Sequence, residues 1–297
     1  MNLDNYLKKN GHSKELRDLV NIVVDQIKPI KDEFLGGGEK TNIYNIYGEE
    51  QIKLDKKANE ILLKAFRSSK LVKEAGSEEE EIVIQMDSKK GHFGITIDPL
   101  DGSSLISTDL AVGIIVSIYE NGDIMSGIRN ITQAFYILLG PLNLMVFADK
   151  NGVSQFVYGN KGVFNLVKEN LIVPEGNLYS PGGLRKKWTS AHSSFISDLE
   201  KEGFKLRYSG SFVPDFHQIL TCGGIFTYPA LVDKPQGKLR LLFEVGPMAF
   251  IAEKAGGAAI DGKNRILEII PTEVDQRTPI YIGSKKITEK VKEKLSL

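Results

Sequence analysis

Leu16, Leu19, Val20, Val23 and Ile27 recur at steps of three and four residues, which predicts an amphipathic helix over residues 14–34, bent near Pro29. Gly36-Gly37-Gly38 ends it. A second helix is expected over 51–69, where Ala58, Ile61, Leu62 and Phe66 keep the same spacing, and an acidic loop follows at 77–81. The pattern then changes period. Residues 82–85, 94–97, 111–119, 134–139, 142–148 and 153–158 are apolar or alternating runs separated by Gly, Asn, Asp or Pro, and predict one connected sheet.

Two prolines and three glycines in 174–184 mark a subdomain boundary, so we expect an N-terminal part over 1–178 and a C-terminal part over 179–297. Beyond the boundary, 193–202 reads as a helix and 224–230 and 239–243 as strands. Residues 247–255 form a short helix entered by Pro247 and left through Gly256-Gly257. Ser284 is the expected cap of a last helix that turns Ile287, Val291 and Leu295 inward.

Composition narrows the classes of function. The 297 residues can bury a substantial core, and 41% hydrophobic content argues against disorder. With 38 basic and 38 acidic side chains, net charge gives no reason to expect a nucleic-acid or membrane-surface partner. Small molecules or copies of the chain remain. The single Cys222 excludes an intramolecular disulfide and a Cys-rich zinc site, and the polar Met1-Asn2-Leu3-Asp4 lacks the apolar core of a signal peptide. A cytoplasmic setting is therefore expected. The most apolar stretch, 134–148, carries Pro141 and is too short to span a bilayer.

Chemistry concentrates where Phe93, Ile95 and Ile97 give way to Asp98-Pro99-Leu100-Asp101-Gly102-Ser103-Ser104. Two carboxylates and a carbonyl suit a hard divalent cation, and the small residues after them let N–H groups approach a phosphate. A plain turn has the same spelling. Asp55, Glu78, Glu79 and Glu244 also lie at element ends beside apolar runs. Taken singly, Glu78 and Glu79 read as part of a solvated loop, and Asp55 as an ordinary first-turn helix acid. Glu244, at the end of Leu239-Arg240-Leu241-Leu242-Phe243, would be costly to bury without a metal or a basic partner. Arg207, Tyr208, Lys238 and Arg240 supply the groups that phosphoryl transfer needs to hold its substrate, with surface cations as the plain alternative. His217 reads as a structural histidine.

Six ordered motifs give this constellation a family. Gly48 to Asp55, Ser77-Glu78-Glu79, Asp98 to Ser104, Arg207 to Ser211, Gly224 to Ala230 and Gly237 to Glu244 resemble the class I fructose-1,6-bisphosphatase family. The first-noted motif alone would also admit the wider inositol monophosphatase superfamily. The resemblance implies an α/β fold, a layered αβαβα sandwich of two subdomains, and Mg²⁺-dependent hydrolysis of a sugar 1-phosphate ester, with Mn²⁺ or Zn²⁺ as possible substitutes. Carried over position by position, it implies Glu78, Glu79, Asp98, the Leu100 carbonyl, Asp101 and Glu244 as metal ligands. Glu49 and Asp55, assisted by Glu79, would orient or deprotonate the attacking water. Gly102, Ser103 and Ser104 would contact the transferred phosphate, and Arg207, Tyr208, Tyr228 and Lys238 the sugar and its other phosphate. Arg240 would sit beside the metals. A homo-oligomer, dimer or tetramer, is also implied.

Departures from the family pattern bear on substrate. Leu105-Ile106-Ser107 stands where the family usually has Asn-Ile-Asp, and 179–185 and 209–215 look more like sedoheptulose-1,7-bisphosphatases. Tyr228-Pro229-Ala230 is instead a fructose-enzyme feature. Fructose 1,6-bisphosphate is the first expected substrate and the seven-carbon bisphosphate the second. An inositol or nucleotide phosphatase and a non-catalytic metal-binding assembly protein come after them.

Overall fold

The computed structural model describes residues 1–34, 40–44, 50–86, 91–159 and 162–295. Its N-terminal third is helical: α1 (Leu3–Lys9), α2 (Lys14–Asp25) and α3 (Ile27–Phe34), then the paired strands β1 (Lys40–Tyr44) and β2 (Glu50–Ile52), then α4 (Lys53–Ser69). The long first helix expected from the sequence is two helices. The break falls at Gln26, whose N–H bonds back to Val23, and not at Pro29. Pro29 lies in the first turn of α3, where the N–H that proline lacks has no intrahelical partner to lose.

An eight-stranded sheet follows, made of β3 (Val72–Ser77), β4 (Ile84–Gln85), β5 (Phe93–Asp101), β6 (Val112–Tyr119), β7 (Gln133–Leu139), β8 (Asn143–Asp149), β9 (Gly152–Tyr158) and β10 (Phe164–Lys168). Its spatial order is β10-β9-β8-β7-β6-β5-β3-β4, antiparallel throughout except for the parallel pair β3–β5. The predicted runs from 82 to 158 are all strands of this sheet.

The rest of the chain builds a second sheet. Its elements are β11 (Leu178–Pro181), α5 (Ser190–Lys201), β12 (Lys205–Leu206), α6 (Phe212–Cys222), β13 (Gly224–Tyr228), α7 (Gly246–Lys254), β14 (Ala258–Ile260), β15 (Ile280–Gly283) and α8 (Lys285–Leu295). The five strands are ordered β12-β11-β13-β15-β14.

Side-chain alternation assigns the layers. On β7, Phe135, Ile137 and Leu139 enter a core shared with α1 to α4, while Ala134, Tyr136 and Leu138 enter one shared with α6 and α7. Ile282 of β15 reaches that second core, and its neighbour Tyr281 packs on the other side with Phe195 of α5 and Val291 of α8. The layers are therefore helices, large sheet, helices, small sheet, helices. This is the predicted αβαβα sandwich.

Two local expectations are corrected. Residues 239–243 do not form a strand: Leu241–Val245 is a single π-helical turn that runs into α7. An apolar run buried on every side carries no periodicity that separates strand from helix. Here the Leu242 carbonyl accepts from the Thr96 hydroxyl at 3.0 Å instead of from a neighbouring strand. Ser284 does precede α8, but its hydroxyl accepts from Gly224 N–H at 2.8 Å and donates to the Pro174 carbonyl at 2.7 Å. It ties the small sheet together.

Candidate active site

Because β3 and β5 run parallel, with Ser77 opposite Ile97, their carboxyl ends deliver Glu78, Glu79 and Asp98 to the same edge of the sheet. This is where open α/β sheets bind ligands. The pairing of β5 with β6 slips between Asp98 and Asp101, and this irregularity lets both aspartates remain within the strand. Thr96 binds the π turn to β5, which brings Glu244 over the same end.

One oxygen each from Asp98, Asp101 and Glu244 lies within 4.8 Å of the other two, and all three residues are buried. Each carboxylate is held. Asp98 Oδ1 accepts from Leu100 N–H at 3.0 Å, and Glu244 Oε2 accepts from Arg240 N–H at 2.6 Å. Asp101 sits at the N-terminus of α6. Its Oδ2 accepts from the Ser211 hydroxyl and from Val213 N–H, both at 2.6 Å, and its Oδ1 accepts from Phe212 N–H at 3.1 Å. Those otherwise unpaired helix N–H groups favour a negative charge.

The charges nevertheless conflict. Burial raises Asp98 and Glu244 well above the usual carboxylate range, and the neighbouring Glu78 raises both further. Burial also pushes Asp101 up to about 6, against the pull of its bonds to Ser211, Val213 and Phe212. The nearby cation does not resolve this. Arg240 is only 2% exposed, donates through Nη1 to Glu78 and lowers Glu244 only in part. A buried cluster of carboxylate oxygens that resists ionisation on its own fits hard divalent cations, which would offset the repulsion.

The cluster floors a pocket of about 480 Å³ that Asp55, Glu78, Glu79, Leu100, Gly102, Ser103, Ser104, Tyr208, Tyr228, Lys238 and Arg240 also line. Gly102 has φ +78°, and a Cβ there would run into Ser211, so the turn into the 3₁₀ segment Ser103–Thr108 requires glycine. Asp55 lies in the first turn of α4, as expected. Glu49 lies outside the described residues. Arg207 is exposed, donates to the Leu206 carbonyl and does not line the pocket. Arg240 is the opposite of a surface cation.

Sequence reasoning missed several lining residues: Gly210, Ser211, Phe212, Asp215 and Lys234. Asp215 accepts from Ser209 N–H at 2.8 Å and Gly210 N–H at 3.3 Å, shaping the turn that presents Ser211 to Asp101. The local signal was there, since Ser209-Gly210-Ser211 followed by an aspartate four residues later marks a helix start. What it faces was not. His217 is structural, bonded through Nδ1 to the Tyr136 hydroxyl at 2.7 Å.

Comparison with known proteins agrees over the whole chain. A family model described as fructose-1-6-bisphosphatase, N-terminal domain, matches residues 3–169, and the corresponding C-terminal domain model matches 172–296. Fructose-1,6-bisphosphatase class 1 of Methanocorpusculum labreanum is 43% identical over 289 residues, covering 97% of this chain and 90% of that protein. Fructose-1,6-bisphosphatase class 1 of Trichlorobacter lovleyi is 49% identical over 255 residues, 85% of this chain and 81% of its own. The crystal structure of Leishmania major fructose-1,6-bisphosphatase in holo form superposes with a TM-score of 0.94 at 30% identity, covering 100% of this chain and 99% of that one. With its fold, its pocket and both domain models in agreement, this chain belongs to the class I fructose-1,6-bisphosphatase family.

Proposed function

We propose that this protein hydrolyses fructose 1,6-bisphosphate to fructose 6-phosphate and inorganic phosphate, with Mg²⁺ as its cation. The observation that carries this reading is one pocket lined both by a buried carboxylate cluster and by Tyr208, Tyr228 and Lys238. Bound divalent cations would neutralise charge on the transferred phosphate and lower the pKa of water. Glu78, Glu79, Asp98, the Leu100 carbonyl, Asp101 and Glu244 would hold them. Asp55 and Glu49, with Glu79, would orient the attacking water and take its proton. The Gly102, Ser103 and Ser104 turn would receive the phosphate through N–H and hydroxyl donors. Arg240 holds Glu78 in place.

The oxygen-only donor set supports Mg²⁺, with Mn²⁺ or Zn²⁺ able to replace it. Arg207 follows the edge strand β12, is exposed and does not line the pocket of its own chain; the role in a neighbouring subunit that the family resemblance implies would make the protein a homo-oligomer, a dimer or tetramer. Among the described residues no helix is long and apolar enough to cross a membrane. A cytoplasmic location would suit the single Cys222, which has no disulfide partner within the chain. Division into parts 1–178 and 179–297 is supported by two sheets that share no strand.

Sedoheptulose 1,7-bisphosphate is the second substrate, supported by the likeness of residues 179–185 and 209–215 to sedoheptulose-1,7-bisphosphatases. Gly182 packs directly against the Tyr228 ring, where a Cβ would collide with it. The test is phosphate release from fructose 1,6-bisphosphate and sedoheptulose 1,7-bisphosphate, with Mg²⁺ and with chelator. Turnover of neither would overturn the reading.

A further inference from the structure

The basic end of the pocket holds a second lysine that the motif reading left out. Lys234 lines the same cavity as Lys238, Tyr208 and Tyr228, and stands on the loop between β13 and the π turn. The loop is anchored. Leu231 N–H donates to the Lys234 carbonyl and Lys234 N–H to the Leu231 carbonyl, both at 3.0 Å, and Gly237 N–H closes on the Lys234 carbonyl at 3.0 Å. Val232 N–H donates to the Lys187 carbonyl at 2.8 Å, and Leu231 forms an antiparallel bridge with Trp188. Gly237 has φ +83°, and its Cβ position is filled by the Thr278 carbonyl, so the return of the chain to Lys238 admits no other residue cheaply.

Charge is sorted along this loop. Asp233 turns to Lys187, at 2.5 Å, and its neighbour Lys234 turns to the pocket. Among the described residues, neither Lys234 nor Lys238 has a carboxylate within ion-pair distance. Two lysines without a counter-charge thus line the cavity that holds the carboxylate cluster, together with Tyr208 and Tyr228, and Lys238 Nζ lies over the Tyr228 ring at 5.8 Å. Tyr208 is only half covered, yet the water it loses pushes its phenol up to about 12, so it stays a neutral donor. The far end of the pocket is complementary to a group carrying two negative charges, and one ammonium would leave half of that charge unmatched.

We propose that Lys234 is a specificity-determining residue that shares the distal phosphate of the substrate with Lys238, and so selects bisphosphates over monophosphates. This rests on reading the pocket as a sugar bisphosphate site. The test compares wild type, Lys234→Ala and Lys234→Arg on fructose 1,6-bisphosphate and on fructose 1-phosphate, which lacks the distal group. Lys234→Ala should raise KM for the bisphosphate about five- to twentyfold with kcat changed less than about twofold, and leave fructose 1-phosphate kinetics as they were. Lys234→Arg should restore most of the loss. An unchanged bisphosphate KM, or an equal loss on both substrates, would overturn the proposal. Calorimetric titration with fructose 6-phosphate separates this from the hydrolysis reading. Weaker binding by Lys234→Ala supports the lysine even where wild type releases no phosphate, and equal affinity refutes it.

Discussion

At the acidic end of the pocket, Asp98, Asp101 and Glu244 are buried side chains fixed to a strand, a helix start and a π turn. At the basic end, Lys234 and Tyr208 are exposed, and Lys234 stands on a loop. The acidic end places charge where water cannot screen it, which costs stability until cations arrive and gives strong leverage on the reaction when they do. The basic end works in solvent, where each contact is worth less but can change without disturbing a core. Chemistry and selectivity are thus assigned to parts of the fold with different tolerance for substitution.

The largest effect should come from Asp101→Asn. A neutral amide cannot offset a divalent charge, and kcat/KM for phosphate release should fall by at least about a thousandfold. Wild-type turnover by this variant at limiting Mg²⁺ would dissolve the distinction between the two ends. Arg240→Met comes next. It leaves Glu78 without its guanidinium partner beside three further carboxylates, and should lower unfolding free energy by about 3 kcal/mol in urea titrations near neutral pH. Recovery of that stability on adding Mg²⁺ would assign the loss to repulsion and not to lost packing.

Stability against pH tests the cost of the acidic end directly. With its folded pKa raised from 3.8 to about 6, Asp101 keeps a proton that the unfolded chain releases. Wild type without divalent ions should therefore lose stability relative to Asp101→Asn as pH rises from about 4 to about 6. His192 and His217, buried and lowered to about 3 and about 4, act with the opposite sign, losing stability as pH falls below the ordinary histidine value. They do so in both proteins, so the difference isolates the carboxylates. Mg²⁺ should raise the Tm of wild type more at pH 8 than at pH 5, as differential scanning fluorimetry would read. A flat difference curve would mean that the cluster ionises without penalty.

The smallest effect belongs to the basic end. Lys238→Ala should raise KM about tenfold while kcat changes less than about twofold, because the contact serves ground state and transition state alike. A matching fall in kcat would place Lys238 in the reaction itself.

Much of the large sheet was legible, because β6 to β9 are apolar or alternating runs bounded by turn residues, and β6 to β8 are covered on both faces. Strands such as β3 (Val-Lys-Glu-Ala-Gly-Ser) and β15 (Ile-Tyr-Ile-Gly) were not read, being short or broken by charge and glycine. They are strands because their neighbours supply the pairing. The start of α6 had a local signal, but not its partner, since the first turn is capped by Asp101, a residue 111 positions away from Phe212.

Residue type and order alone determined the family, the oxygen-rich chemistry and most of the groups that line the pocket, because motifs such as Asp98 to Ser104 carry their donors within one turn of chain. Which groups meet was decided only by the tertiary structure. Parallel pairing of β3 with β5 joins Glu78 to Asp98, the π turn lowers Glu244 onto them, and an anchored loop turns Lys234 inward where its neighbour Asp233 faces away. Each of these depends on contacts between segments far apart in the chain, where no local pattern of side chains records the partner.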